Sequence, residues 1–119
     1  VRIVDAVPHE KLPRWMQASD LLVLPSLHEG FGLVAAESLA CGRPVVATRS
    51  GGPEDIVENG LGVLVPIGDH AALGAAIEQV LEGNGIVSAD HMAETIRSRY
   101  SFDSISERIV ALYKKVLHD

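Results

Sequence analysis

The sequence predicts an α/β fold, part of a doubly wound parallel sheet. Short, wholly apolar runs at residues 21–24, 45–47 and 62–65 have the character of strands covered on both faces. Segments of helical periodicity separate them. The intervening connections are only a few residues long, as crossover units require.

Each element has a local reason. Residues 1–4, Val-Arg-Ile-Val, are β-branched and predict a first strand. Residues 9–19 predict a helix with Leu12, Trp15 and Met16 on its core face. Pro13 blurs its start, because proline suits a first turn better than an interior. Pro25 and Ser26 end the strand at 21–24, and residues 27–30 read as loop. A helix from about Gly32 to Ala40 turns Leu33, Ala36, Leu39 and Ala40 inward. Cys41 and Gly42 stop it, and Pro44 prevents its continuation. After the strand at 45–47, Ser50-Gly51-Gly52 is loop and Pro53 opens a short helix through Val57. Asn59-Gly60 is a turn signal before the strand at 62–65. Asp69 suits the N-cap of a helix over 70–81, with Leu73, Ile77, Val80 and Leu81 in register. Residues 91–100 and 105–117 predict two more helices, Ser104 and Glu107 having capping-box spacing for the last.

Composition narrows the function. A chain of 119 residues is one domain at most. Ten Lys+Arg against sixteen Asp+Glu, net charge −6, argue against a nucleic-acid binder, which needs a basic face. A phosphate ligand held by backbone amides remains compatible with that charge. A single Cys excludes an intrachain disulfide and fits a reducing compartment, hence a cytoplasmic location. No apolar run approaches the roughly 20 residues of a membrane span. The five His are dispersed without ligand spacing, so no metal site is expected. Cys41 reads as a small residue packed at a helix end, and Arg43 and Arg49 as surface residues. The chain lacks an initiating Met and opens inside a predicted strand, which points to a piece of a longer protein.

The chemistry concentrates in residues 24–37, Leu-Pro-Ser-Leu-His-Glu-Gly-Phe-Gly-Leu-Val-Ala-Ala-Glu. Ligands of open α/β sheets bind at the carboxyl ends of strands, where this segment lies. Gly30 and Gly32 leave the backbone unobstructed, so successive N–H groups and the helix N-terminus can face an anion. Glu29 stands before the turn and Glu37 in the second helical turn, eight positions on. At about 100° per residue, they address different parts of one elongated ligand. Carboxylates accept hydrogen bonds from sugar hydroxyls, so a ligand with phosphate between two sugars fits. A nucleotide sugar has that layout. His28 adjoins Glu29 and is a candidate lining residue.

This segment resembles the E-x7-E region of the family 4 retaining glycosyltransferases, which have the GT-B fold. The likeness continues through residues 38–48, Ser-Leu-Ala-Cys-Gly-Arg-Pro-Val-Val-Ala-Thr, and through residues 51–57 and 60–65, covering nearly the whole chain. It implies that residues 1–119 are the later part of a Rossmann-like C-terminal donor-binding domain. In this resemblance Glu29 contacts the transferred sugar and is the catalytic-site carboxylate, positioning rather than attacking. Gly30, Phe31, Gly32 and Leu33 contact the sugar and distal phosphate, and Glu37 binds the ribose. The donor is a nucleotide-diphosphate sugar, a hexosyl group is transferred with retention, and neither metal nor cofactor is expected.

The resemblance also implies missing parts. The N-terminal acceptor domain is absent, as is the stretch carrying an Arg and a Lys that neutralise the donor diphosphate. In a 3-2-1-4-5-6 sheet, residues 1–4 are the third strand and the three apolar runs the fourth to sixth. A gap then separates residues 1–4 from 21–24. The expectation is an excerpt of a larger protein, a non-native pairing, or a second copy filling the gap. An exposed edge at 21–24 favours self-association. Peripheral contact of the parent with the inner face of a membrane is compatible with this reading. The alternatives are a non-catalytic α/β interaction or regulatory module, and a GT-B phosphorylase, whose cofactor-lysine segment is not in this chain.

Overall fold

A computed structural model describes residues 1–57 and 60–118. The predicted turn residue Asn59 lies outside them; Gly60 beside it has φ +87°. Three parallel strands, β1 (Leu22–Leu24), β2 (Val45–Thr48) and β3 (Gly62–Val65), form one sheet in the order β1-β2-β3. Val23, Val46 and Val63 stand in register across it.

The central strand β2 is buried at every residue, so its side chains divide between two layers. Val45 and Ala47 face a core built with α2 (Leu33–Ala40), α3 (Gly52–Ile56) and α5 (Ala89–Tyr100), where Leu39, Ile56, Met92 and Ile96 pack. Val46 faces the opposite side, where α4 (His70–Leu81) contributes Ala76 and Val80. Burying Leu39, Ile56 and Met92 contributes roughly 2 kcal/mol apiece. Coverage on both faces is the doubly wound arrangement the apolar strands predict. Gly62 is required at the start of β3: a Cβ there would lie 1.8 Å from the Val45 carbonyl oxygen.

The N-terminal residues depart from the expectation. Residues 1–4 form no strand, and Val1, Ile3 and Val4 are exposed. β-Branched propensity makes a strand only where a neighbouring strand takes its backbone hydrogen bonds. The predicted helix over 9–19 divides into a 3-10 turn, His9–Lys11, and α1 (Leu12–Ala18), with Pro13 in its first turn. Met16 is buried, but Trp15 is 48% exposed and is not a core residue. Strand β1 is an edge pairing only with β2, so Leu22 and Leu24 are partly buried and Val23 is exposed. The expected burial of 21–24 on both faces is therefore incomplete. Leu33 is 58% exposed, and Ala35 takes the core position expected of it.

Asp69 caps α4 as predicted, its Oδ1 accepting from the Ala72 N–H at 2.9 Å. The capping box predicted at Ser104 and Glu107 does not form. The last helix, α6 (Phe102–His118), starts three residues earlier. Ser101 Oγ accepts from the Ser104 N–H at 3.1 Å, while the Ser104 hydroxyl donates to the Ser98 carbonyl. Helix α6 buries none of its residues and leaves Ile105, Ile109, Leu112 and Val116 exposed along one side. It extends the molecule to 55 × 30 × 27 Å. No helix among the described residues is long and apolar enough to cross a membrane.

Candidate functional site

The loop between β1 and α2 lies at the carboxyl edge of the sheet. Pro25 ends β1, and the chain then runs beside the loop that follows β2. Glu29 forms an isolated parallel bridge with Gly51. Its N–H donates to the Ser50 carbonyl at 2.9 Å, and its carbonyl accepts from the Gly52 N–H at 3.2 Å. Two glycines make this approach feasible. A Cβ at Gly51, where φ is +120°, would lie 2.6 Å from the Glu29 carbonyl oxygen. One at Gly52 would lie 2.2 Å from the Phe31 carbonyl carbon and oxygen. Gly51 lies in the loop as the sequence predicts, but Gly52 does not: the next helix begins at Gly52 rather than at Pro53.

Gly32 is the N-cap of α2, with φ +79° and ψ +45°, a left-handed conformation suited to glycine. Its carbonyl accepts from the Ala35 N–H at 2.9 Å. The five preceding N–H groups, Gly30 through Val34, meet no acceptor among the described residues. Unbonded N–H groups at the positive end of a helix dipole are chemically suited to an anion.

The two carboxylates stand where the sequence places them: Glu29 before the N-cap, Glu37 in the second turn of α2. Both are partly exposed. Ser26 Oγ donates to Glu29 Oε2 at 2.9 Å, and Thr48 Oγ1 donates to the Ser26 carbonyl. Phe31 is half exposed, and its ring meets Tyr100 of α5 edge-on, with centroids 5.6 Å apart and planes at 84°. Ser26, Thr48 and Tyr100 are the supports that sequence reasoning missed. Ser26 carries a weak local signal, three residues before Glu29; Tyr100 carries none, because its contact with Phe31 joins elements far apart in sequence.

The remaining candidates sort by contact. Arg43 is not a free surface cation: its Nη2 donates to the Gln17 carbonyl at 2.7 Å, tying α1 to the approach of β2. Arg49 and His28 are exposed. Cys41 follows α2; burial, then the Glu37 carboxylate, push its thiol up, and Arg43 opposes them. A raised thiol is the reverse of an activated nucleophile. A small cavity of about 90 Å³ between Pro25, Thr48, Pro66 and Leu73 adjoins the carboxyl ends of all three strands. A larger depression of about 270 Å³, at Arg14, Trp15 and Ala18, belongs to α1 and shares no residue with the loop.

A parallel sheet helically covered on both faces, with its free amides and carboxylates at the strands' carboxyl edge, defines the chain as a sheet-edge α/β protein. The comparisons with known proteins go further. The family profile described as Glycosyl transferases group 1 matches residues 1–99. D-inositol 3-phosphate glycosyltransferase of Corynebacterium urealyticum is 39% identical over 119 residues, covering 98% of this chain and 28% of the relative. That of Geodermatophilus obscurus is 40% identical over 114 residues, covering 95% and 25%. Among solved structures, sucrose-phosphate synthase from Thermosynechococcus elongatus matches with a TM-score of 0.82 at 32% identity, over 97% of this chain and 30% of that one. Anabaena HepE, solved in complex with UDP, matches with a TM-score of 0.69 at 28% identity, over 87% and 30%. The chain belongs to the group 1 glycosyltransferases, and its structural neighbours have the GT-B fold. It spans about 28% of the length of the first of these relatives.

Proposed function

We propose that the chain is the donor-binding part of a longer, retaining glycosyltransferase. In this reading it holds a nucleotide-diphosphate sugar from which a hexosyl group passes to an acceptor hydroxyl. The observation that carries the reading is the run of free N–H groups from Gly30 to Val34, flanked by Glu29 and Glu37.

The diphosphate lies against those amides at the start of α2. Glu37 accepts from the ribose hydroxyls. Glu29 accepts from hydroxyls of the sugar, beside Gly30, Phe31, Gly32 and Leu33. During transfer the bond from the anomeric carbon to the diphosphate oxygen breaks. The acceptor oxygen bonds to that carbon from the same face, and its proton passes to the departing diphosphate. Charge accumulates on the leaving group, where preorganised amide donors stabilise it most. Glu29 orients the sugar and does not attack it. Amides and a helix dipole supply this stabilisation without a metal ion. The acceptor is held by a domain outside this chain; the relatives' names suggest a phosphorylated polyol as one acceptor class. The nucleotide in HepE supports a diphosphate donor.

Calorimetric titration of the full-length protein with UDP, GDP and ADP tests the site. One nucleotide is expected to bind, and Glu37→Ala should weaken it about tenfold or more by removing a charge-assisted hydrogen bond. Unchanged affinity in Glu37→Ala would remove Glu37 from the site.

A further inference from the structure

We propose that Ser26 is a positioning residue for Glu29, and that Thr48 anchors it to the buried strand of the sheet. The inference rests on the reading of Glu29 as the carboxylate that meets the donor sugar.

A glutamate on a loop has three side-chain torsions, and most of their combinations point its carboxylate away from any one ligand. Only a fixed carboxylate offers its oxygens at the correct place before the sugar arrives, sparing the ordering cost at the moment of binding. Here one oxygen is held. Ser26 Oγ donates to Glu29 Oε2 at 2.9 Å, closing the loop across residues 26–29. Since the acceptor is a carboxylate, the bond is charge-assisted and stronger than a neutral one.

Ser26 is itself tied down. Its carbonyl accepts from Thr48 Oγ1. Thr48 is only 4% exposed and is the last residue of β2, the central strand. The Glu29 backbone is fastened separately through Ser50 and Gly52, so both the main chain and the side chain of Glu29 are referenced to the end of β2. The chain of contacts runs from a rigid strand through two hydroxyls to one carboxylate oxygen. Glu29 Oε1 takes no hydrogen bond among the described residues and is the oxygen left for a sugar hydroxyl.

The role predicts a split that a general loss of stability would not produce. In the full-length protein, Ser26→Ala should weaken UDP-glucose, GDP-glucose or ADP-glucose, whichever binds, about tenfold, and leave the matching nucleoside diphosphate unchanged. Ser26→Thr, which keeps the hydroxyl, should restore the difference. Thr48→Val should reproduce the effect in part, and Thr48→Ser should not. Equal weakening of nucleotide and nucleotide sugar, or of neither, would overturn the positioning role while leaving the site reading intact. A wild-type protein that binds none of the three nucleotides would overturn the site reading, and this inference with it. Should Ser26→Ala fail to fold, the Thr48 pair decides the question on the same two ligands.

Discussion

Single atoms decide how closely the two loops at the sheet edge can approach. Gly52 is the tightest case, because its missing side chain makes room for the backbone of Gly30 and Phe31. Gly52→Ala forces that loop outward and should cost about 1–3 kcal/mol as overpacking. Denaturant unfolding measures that cost, and nucleotide affinity should fall with it because the free amides move. A variant as stable as the parent would show that the loop has another position available. Glu29 and Glu37 were legible in the sequence because each lies at a fixed offset from a strand end and a glycine turn. Their supports were not. Thr48 reaches Ser26 across 22 positions, and Phe31 meets Tyr100 across still more. No pattern of spacing encodes a contact between elements that only the fold brings together.

At the scale of elements, caps and partners set the ends of helices. Asp69 follows the sequence rule because the chain before it is already a turn, leaving its carboxylate free to face the first amides. The last helix breaks the rule. Two serines stand three residues apart, and tertiary geometry selects Ser101 because Ser104 is engaged with the end of α5. Ser101→Ala should therefore speed amide exchange in the first turn of α6 about fivefold, the equivalent of about 1 kcal/mol for a lost cap. Glu107→Ala should leave exchange there unchanged. The reverse result would restore the capping box. Boundaries of this kind are poorly legible because several residues can cap, whereas the existence of a helix follows from its periodicity.

At the scale of the molecule, the described sheet ends on one side in a strand, β1, whose outer edge pairs with no other described strand. Strand β1 pairs with β2 alone, and residues 1–4 do not join it. Unpaired strand edges invite association. The molar mass of this chain by light scattering should rise with concentration, and Val23→Lys should lower it by placing a charge on the edge strand. Association unaltered by Val23→Lys would move its cause to the exposed face of α6, which carries Ile109, Leu112 and Val116. A single monomeric mass at every concentration would show that neither surface associates.

The sequence by itself determined the α/β class, three of the strands, the cap of α4 and the loop that carries Glu29 and Glu37. These are local properties: periodicity, chain punctuation and the freedom of glycine act over a few residues. It also carried the resemblance that the family match bears out. Only the tertiary structure decided that residues 1–4 are not a strand, that Arg43 holds α1, and that Ser26 and Thr48 reach Glu29. A strand needs a neighbour, and a hydrogen bond needs an acceptor at about 3 Å. Both are supplied by segments distant in sequence, so neither can be read from one segment alone.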